Sequence, residues 1–332
     1  MKRDLRIDFM RFLGLSLIIL AHVQAPFTLT QIRCFDVPLM VFVSGMTVSG
    51  KSIPNFWKYL WKRTKRLVVP VWLFLTVYLS VFYLVQDLVL PEPYLTGRMI
   101  CRSFLLLDES IGYVWIIRVF LLVMLLTPFI ISVSKKIESD YVFSVIIFAI
   151  LLLNQIVYQV LVIMDAGIGK ELFEDFVVYG IAYMVPFAMG VRVKDSSTKK
   201  LLLYCVLLGL LFLLFCLNNF EVGNNPIGVS TNYKFPPRPY FIVYGSFISI
   251  ILWLTKRWWE WIAGNELIVF VGQNTIWIYL WHMPFALFAT VYMYNWVFKY
   301  VFVYSLALLL FWIQYKIVRN INNTLINKYL LG

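Results

Sequence analysis

The sequence contains only two histidines, and the first, His22, ends an apolar stretch that begins at Arg11. The ten residues between them contain no ionisable group. In an α-helix, eleven residue steps cover about 16 Å and end roughly 20° beyond three full turns. Arg11 and His22 are therefore predicted to lie on one side of a first helix, with Asp8 three residues before Arg11 as its ion-pair partner.

These residue types suggest two kinds of chemistry at the two ends of one helix. Arginine binds phosphate through bidentate, charge-assisted hydrogen bonds, and histidine takes up and releases protons near neutral pH. Ionisable side chains within an apolar span usually face a bundle interior or a water-filled cavity. Two simpler interpretations stay open: Arg11 as a snorkelling residue at a helix end, and His22 as a hydrogen-bonded interior side chain.

The second histidine, His282, lies in the segment IYLWHMP, about as far into its apolar run as His22 lies into the first. Because both runs are predicted to point outward, the two imidazoles should lie at similar depth in the outer half of the membrane. Other polar residues near that level form a candidate substrate-binding set with His282: Arg33, Asp36, Trp115, Arg118 and Tyr279. Arg63 and Arg66 lie on the inner side, just before the third run. They are interpreted either as a topological stop or as a clamp that binds phosphate.

Composition places these residues in a membrane protein. The chain is 61% hydrophobic and 14% charged, where a soluble domain carries roughly 25% charged residues. Its mean hydropathy is +0.81. The net charge of +12 comes from basic residues between apolar runs. The positive-inside rule explains that placement better than nucleic-acid binding does, because no basic soluble module is present.

The fold class predicted from hydropathy is an all-α integral membrane bundle of about ten transmembrane helices, forming one domain over residues 1–332. Most Lys and Arg residues fall in alternate connections, which predicts cytoplasmic termini. The first run is interpreted as an uncleaved span, because Pro26 follows the apparent cleavage signal directly. The predicted runs cover about 9–25, 35–50, 67–90, 113–132, 141–163, 176–192, 201–217, 239–255, 267–289 and 297–316.

The four cysteines form no metal or redox motif. Cys205 and Cys216 share one apolar run, whereas Cys34 and Cys101 fall near the same membrane face, so that a disulfide between them stays open. The longest connection, residues 218–238, is rich in Gly, Asn and Pro and is predicted to be an external loop.

Five segments in order resemble acyltransferase family 3, a family of membrane O-acyltransferases. They are IDFMR through His22 at 7–22, FDVPLMVFVSGM at 35–46, RTKRLVVPVW at 63–72, VWIIRVFLLVMLLTP at 114–128 and NTIWIYLWHMP at 274–284. The opening stretch most resembles bacterial members that acetylate sugars of surface polysaccharides. The resemblance implies a multi-pass protein of the bacterial cytoplasmic membrane.

The activity that the resemblance implies is transfer of an acyl group, commonly acetyl, from cytoplasmic acyl-CoA to a hydroxyl of an envelope, capsular or exopolysaccharide sugar. No metal is implied. Arg11 and His22 match the family's essential pair, and Arg63 or Arg66 matches its basic motif. We expect Arg11, Arg63 and Arg66 to hold the CoA phosphates and His22 to act as general base, with Asp8 supporting Arg11.

Alternatives to this reading remain. An acyl-imidazole on His22 is the alternative chemistry. Arg118, Arg33 or His282 could stabilise the oxyanion or orient the sugar, whether or not that sugar is lipid-linked. The rival function is a secondary transporter or flippase of lipid-linked glycans, which the lack of an inverted repeat disfavours.

Overall fold

The computed structural model describes residues 3–51, 53, 55–89, 95–107, 111, 113–221, 229, 232–321 and 323–331. Lys2, and residues 222–228, 230 and 231 of the predicted external loop, lie outside the described residues. Among the described residues, all regular secondary structure is helical. Helices are expected here, because lipid offers the backbone no hydrogen-bond partner and a helix satisfies its own N–H and C=O groups.

Sixteen α-helices follow one another along the described parts of the chain, and a π-helical turn at Phe173–Val178 joins the eighth to the ninth. Their bounds are α1 Leu5–Ala21, α2 Phe27–Arg33, α3 Asp36–Val48, α4 Phe56–Val89, α5 Gly97–Leu105, α6 Trp115–Lys136, α7 Asp140–Ile163, α8 Ile168–Leu172, α9 Tyr179–Val193, α10 Thr198–Glu221, α11 Pro239–Leu254, α12 Lys256–Trp259, α13 Glu266–Gln273, α14 Thr275–Tyr292, α15 Trp296–Asn320 and α16 Thr324–Leu330.

Within the described ranges, seven helical segments are long and apolar enough to cross a membrane. They are Phe27–Val48, Phe56–Gln86, Trp115–Lys136, Asp140–Ile163, Ile168–Val193, Thr198–Asn219 and Trp296–Asn320. The all-helical membrane class is therefore confirmed. The number of ten spans and the cytoplasmic termini stay predictions, since α1, α11 and the α13–α14 pair are not among the seven.

Several helix ends differ from the predicted runs, for local reasons. The first run was expected to continue to residue 25, but α1 ends at Ala21, and Gln24 adopts a left-handed φ of 56° just before Pro26. His22 is therefore the first residue after the helix, not a residue within it. The ninth run breaks at Asn274, whose φ of −120° separates α13 from α14. In the third run α4 begins at Phe56, so that it is 34 residues long.

The chain divides into two compact units by its internal contacts. The first unit comprises Met1–Ala21, Ala25–Pro54 and Leu125–Gln273, and the second comprises His22–Gln24, Asn55–Met124 and Asn274–Gly332. All four cysteines are free, with Cys34 buried and Cys101 exposed. The disulfide that the sequence left open is therefore not formed.

In the first unit, α3 is the central helix and packs against α1, α9 and α11. Its crossing with α9 depends on glycine. A Cβ on Gly190 would lie 1.9 Å from the carbonyl oxygen of Phe42, and one on Gly45 would lie 2.2 Å from that of Phe187. The two backbones therefore approach more closely than any side chain would allow, as small residues permit between membrane helices.

In the second unit, α14 packs against α15 and α4, and α16 contacts both α15 and α4. The start of α15 is fixed by Asn295, whose side-chain oxygen accepts hydrogen bonds from the backbone N–H groups of Val297 at 2.9 Å and Phe298 at 3.3 Å. An Asn cap of this kind satisfies N–H groups that have no partner within the helix. The cap stabilises the first turn of α15.

Replacing Gly190 by Ala should destabilise the first unit, because the new methyl group meets backbone atoms that cannot rotate away. We expect a loss of at least about 2 kcal/mol in the free energy of unfolding. Gly180→Ala is the matched control on α9: nothing lies within 4 Å of its added Cβ, and it should gain about 0.5–1 kcal/mol. Thermal unfolding in detergent measures both, and equal stability of the two variants would contradict the close crossing.

Candidate active site

The two histidines meet in the second unit. The Nε2 atom of His282 lies 3.0 Å from the Nδ1 atom of His22, and the ring centroids are 5.0 Å apart. His282 is fully buried on α14, whereas His22 is partly accessible in the turn after α1. The structure thus joins residues that are 260 positions apart in the sequence.

The hydrogen bonds of His282 determine how both rings are protonated. Its Nδ1 atom contacts the backbone carbonyl oxygen of Tyr279, which can only accept, so Nδ1 carries the proton. In a neutral ring the Nε2 atom of His282 is then an acceptor, and the Nδ1–H of His22 must donate to it. The lone pair of His22 is consequently on Nε2. This is the arrangement of a general base held in one tautomer by a second group.

Tyr113 forms one wall of this site, and sequence analysis did not identify it. Its ring meets His22 edge-on at 4.5 Å and His282 at 5.8 Å between centroids. Its backbone carbonyl accepts a hydrogen bond from the hydroxyl of Tyr279. Of the candidate substrate-binding residues, His282 is thus part of the pair, and Tyr279 lies directly beside it.

Arg118 and Trp115 belong to the first turn of α6, just after Tyr113. Arg118 is buried, and its guanidinium donates to the backbone carbonyl of Leu106 at 2.9 Å. Leu106 has a left-handed φ of 59° at the end of α5. Because this hydrogen bond ties the connection between α5 and α6 to α6 itself, Arg118 helps to place Tyr113.

A buried lysine holds the segment that carries His22. Lys299, on the first turn of α15, is 2% exposed and donates to the side-chain oxygen of Gln24. Gln24 is the residue with the left-handed backbone, a conformation that costs energy in a non-glycine residue. His22 and Gln24 thus each have a polar contact with a helix of the second unit, which restrains the turn between them.

In the first unit, Asp8 joins two arginines. Its carboxylate is 1% exposed and accepts from Arg11 at 3.1 Å and from Arg3 at 2.5 and 2.9 Å. The predicted Asp8–Arg11 pair is present, and Arg3 is an additional partner. Asp8 therefore orients a cluster with one more cation than anion near the start of α1, which suits phosphate binding.

Arg63 and Arg66 lie on α4 in the second unit, three residues apart and so on one side of the helix. The guanidinium of Arg63 lies 5.7 Å from the ring centroid of Tyr59. Arg66 is exposed. That these arginines hold a phosphate together with Arg11 stays a prediction from the sequence.

Arg33 and Asp36 form a buried ion pair in the first unit, at the start of α3. The ammonium of Lys234, which is 6% exposed, lies 3.6 Å from the other carboxylate oxygen of Asp36. Burial lowers the pKa of Lys234 below its ordinary value, and the charge of Asp36 opposes that shift. One carboxylate therefore compensates two buried cations.

The comparisons with known proteins agree with the sequence resemblance. Residues 4–316 match the family profile described as an acyltransferase domain, Acyl_transf_3. The chain belongs to acyltransferase family 3. No curated protein and no solved structure matches it significantly. As a family member with several membrane-crossing helices, the chain is a multi-pass membrane acyltransferase. That Arg11 and His22 are the family's essential pair stays a prediction from the sequence.

Removing the charge of Asp36 should be strongly destabilising, because Arg33 and Lys234 would remain buried without a counter-charge. We expect Asp36→Asn to cost about 3–5 kcal/mol of unfolding free energy. Lys234→Met, which leaves a neutral Arg33–Asp36 pair, should cost little, and adding it to Asp36→Asn should restore part of the loss. A double-mutant cycle by thermal unfolding measures this, and additive effects would refute the coupling.

Proposed function

We propose that this acyltransferase moves an acyl group, most simply acetyl, from cytoplasmic acyl-CoA to a hydroxyl of a bacterial cell-envelope or surface-polysaccharide sugar. The observation that carries the proposal is the 3.0 Å contact between His22 Nδ1 and His282 Nε2. It gives His22 the tautomer that a general base needs.

The reaction balances with one proton carrier. The Nε2 atom of His22 takes the proton of the acceptor hydroxyl while the oxygen attacks the thioester carbonyl carbon. The tetrahedral intermediate collapses, the C–S bond breaks, and the imidazolium returns the proton to the CoA thiolate. Throughout, the Nδ1–H of His22 donates to His282, so the charged ring is stabilised without another proton transfer.

The same lone pair could instead attack the thioester and form an acyl-imidazole. Direct transfer needs acceptor and donor together, whereas the covalent route releases CoA before the acceptor binds. Initial-rate kinetics separate the two: intersecting lines indicate direct transfer, and parallel lines indicate the acyl-histidine.

Phosphate binding is assigned to the arginines. Arg11, oriented by Asp8, supplies a fixed guanidinium near the start of α1, and Arg63 and Arg66 supply two more from α4. The pantetheine arm of CoA then has to cover the helical rise from Arg11 to the end of α1 at Ala21, which is about 15 Å, to reach His22 in the following turn. In this proposal one end of CoA is bound by charge and the other end is placed beside the base.

Replacing His22 by Ala should abolish acyl transfer, since the base is lost while the fold is retained. Membranes or purified protein would receive labelled acetyl-CoA and an extract of the host's lipid-linked glycans, with labelled sugar and free CoA measured by mass spectrometry. We expect a fall in rate of about 10²–10⁴-fold.

The control for this experiment is Tyr294→Ala, because Tyr294 is fully exposed in the same unit. Its rate should match the wild type. Full transfer by a well-folded His22→Ala protein would disprove the mechanism. Glycan movement across the membrane without consumption of any acyl-CoA would favour the transporter instead.

His282 is a positioning residue in this mechanism. Replacing it separates an effect on the orientation of His22 from an effect on the binding of acyl-CoA. His282→Leu removes the acceptor for His22 Nδ1–H and should lower kcat by about 10²-fold with little change in KM for acyl-CoA. His282→Gln offers an amide oxygen instead, so part of the rate should return. If both variants lost the same activity, His282 would not act through this hydrogen bond.

A further inference from the structure

Lys299 is a buried cation on the first turn of α15, in the second unit. Its backbone N–H donates to the carbonyl oxygen of Asn295, the residue whose side chain caps the same helix. The start of α15 is therefore fixed by its cap and by its first backbone hydrogen bond. A buried ammonium in a membrane bundle is costly unless an oxygen lies beside it, so its presence calls for an explanation.

The partner of Lys299 is the side-chain oxygen of Gln24, in the turn that carries His22. Gln24 has a left-handed φ of 56°. Glycine adopts this conformation without steric cost, whereas a residue with a side chain adopts it at a cost in energy. The backbone alone would therefore favour glycine at this position. The glutamine is explained by its amide oxygen, which the buried ammonium requires.

Two adjacent helices hold the turn that carries the proposed base. His22 contacts His282 on α14, and Gln24 contacts Lys299 on α15. The two helices pack against each other along the second unit. Because they form one packed pair, the contact at Gln24 limits movements of the turn that the contact at His22 alone would permit. The imidazole of His22 is thus held directly by α14 and, through the next two residues, by α15.

We propose that Lys299 is a positioning residue for the general base, because its contact with Gln24 keeps the imidazole of His22 at hydrogen-bonding distance from His282. The inference rests on the proposed function, in which His22 is the base. Lys299 acts on the reaction only through the turn and transfers no proton. A displacement of about 1 Å at a reacting group lowers a rate by up to about 10²-fold, so a restraint on this turn has a large effect.

Hydrogen exchange tests the restraint independently of turnover. Lys299→Met keeps the apolar stem of the side chain and removes the ammonium. We expect the backbone amides of residues 22–25 to exchange about tenfold faster in this variant, because the turn opens more often once Gln24 has lost its partner. The purified protein in detergent is labelled and digested, and the peptide that contains the turn is followed by mass spectrometry.

Lys316→Met is the matched control, because Lys316 lies on the same helix and is exposed. Exchange of residues 22–25 in this variant should stay within about twofold of wild type. An unchanged exchange rate in Lys299→Met, or the same acceleration in both lysine variants, would overturn the proposal.

Kinetics measure the consequence for the reaction. Lys299→Met should lower kcat about tenfold and leave KM for acyl-CoA within about twofold of wild type, since the base is displaced while the proposed phosphate-binding arginines are untouched. Gln24→Gly removes the same contact from the other side and should lower kcat by a similar factor. Gln24→Glu keeps an oxygen for the ammonium and should retain most of the rate. Lys316→Met should match the wild type.

A double-mutant cycle with His282 separates positioning from a general structural role. In the His282→Leu background, where His22 has lost its hydrogen bond, Lys299→Met should lower kcat by about twofold or less instead of about tenfold. A tenfold loss in both backgrounds would contradict the proposal. If Lys299→Met fails to fold, equal rates for Gln24→Gly and Gln24→Glu would contradict it as well.

The two readouts also distinguish this inference from the function on which it rests. Faster exchange in Lys299→Met, together with a wild type that transfers no acyl group, would refute the proposed function and leave the restraint intact. Acyl transfer that depends on His22 but is unchanged in Lys299→Met would refute the positioning role and leave the function intact.

Discussion

A hydrogen bond between two imidazoles has consequences far beyond the two rings that form it. Inside an apolar bundle an unpaired polar group costs several kcal/mol, so each ring nitrogen needs a partner of the right kind. The Nδ1–H of His282 donates to the carbonyl oxygen of Tyr279, so its Nε2 atom needs a donor, which the Nδ1–H of His22 provides. These hydrogen bonds leave the lone pair of His22 on Nε2, where the proposed general base requires it. Burial of one histidine thus determines the protonation of the other.

Much of the second unit can be understood as support for that pair. The turn after α1 would be free to move if only its helix held it, and Gln24 adds an unfavourable backbone conformation. Lys299 contacts Gln24, and Arg118 ties the connection that carries Tyr113. Arg118 donates to a backbone oxygen, and Lys299 donates to a side-chain amide oxygen. Both contacts restrain the surroundings of the histidine pair.

The helical runs could be predicted because they depend on local sequence. Hydropathy over about 20 residues identifies a helix in lipid regardless of its neighbours. Helix ends were harder to predict. The end of α1 at Ala21 and the break at Asn274 depend on single φ angles that a run of apolar residues does not reveal. The sequence placed His22 and His282 at similar depth, which agrees with the 3.0 Å contact between them, but the contact itself required the packing of α14.

The positions of some other residues could not be predicted from the sequence. Lys234 falls in the predicted external loop and Lys299 near the start of the last apolar run, yet both are buried and each has a specific oxygen beside it. Tyr113 contributes a ring and a backbone carbonyl, and neither has a characteristic spacing. Basic residues in this membrane protein therefore have two distinct roles. A lysine surrounded by water indicates the topology of the chain, whereas a lysine buried beside an oxygen of the bundle supports the local packing. Burial distinguishes the two cases.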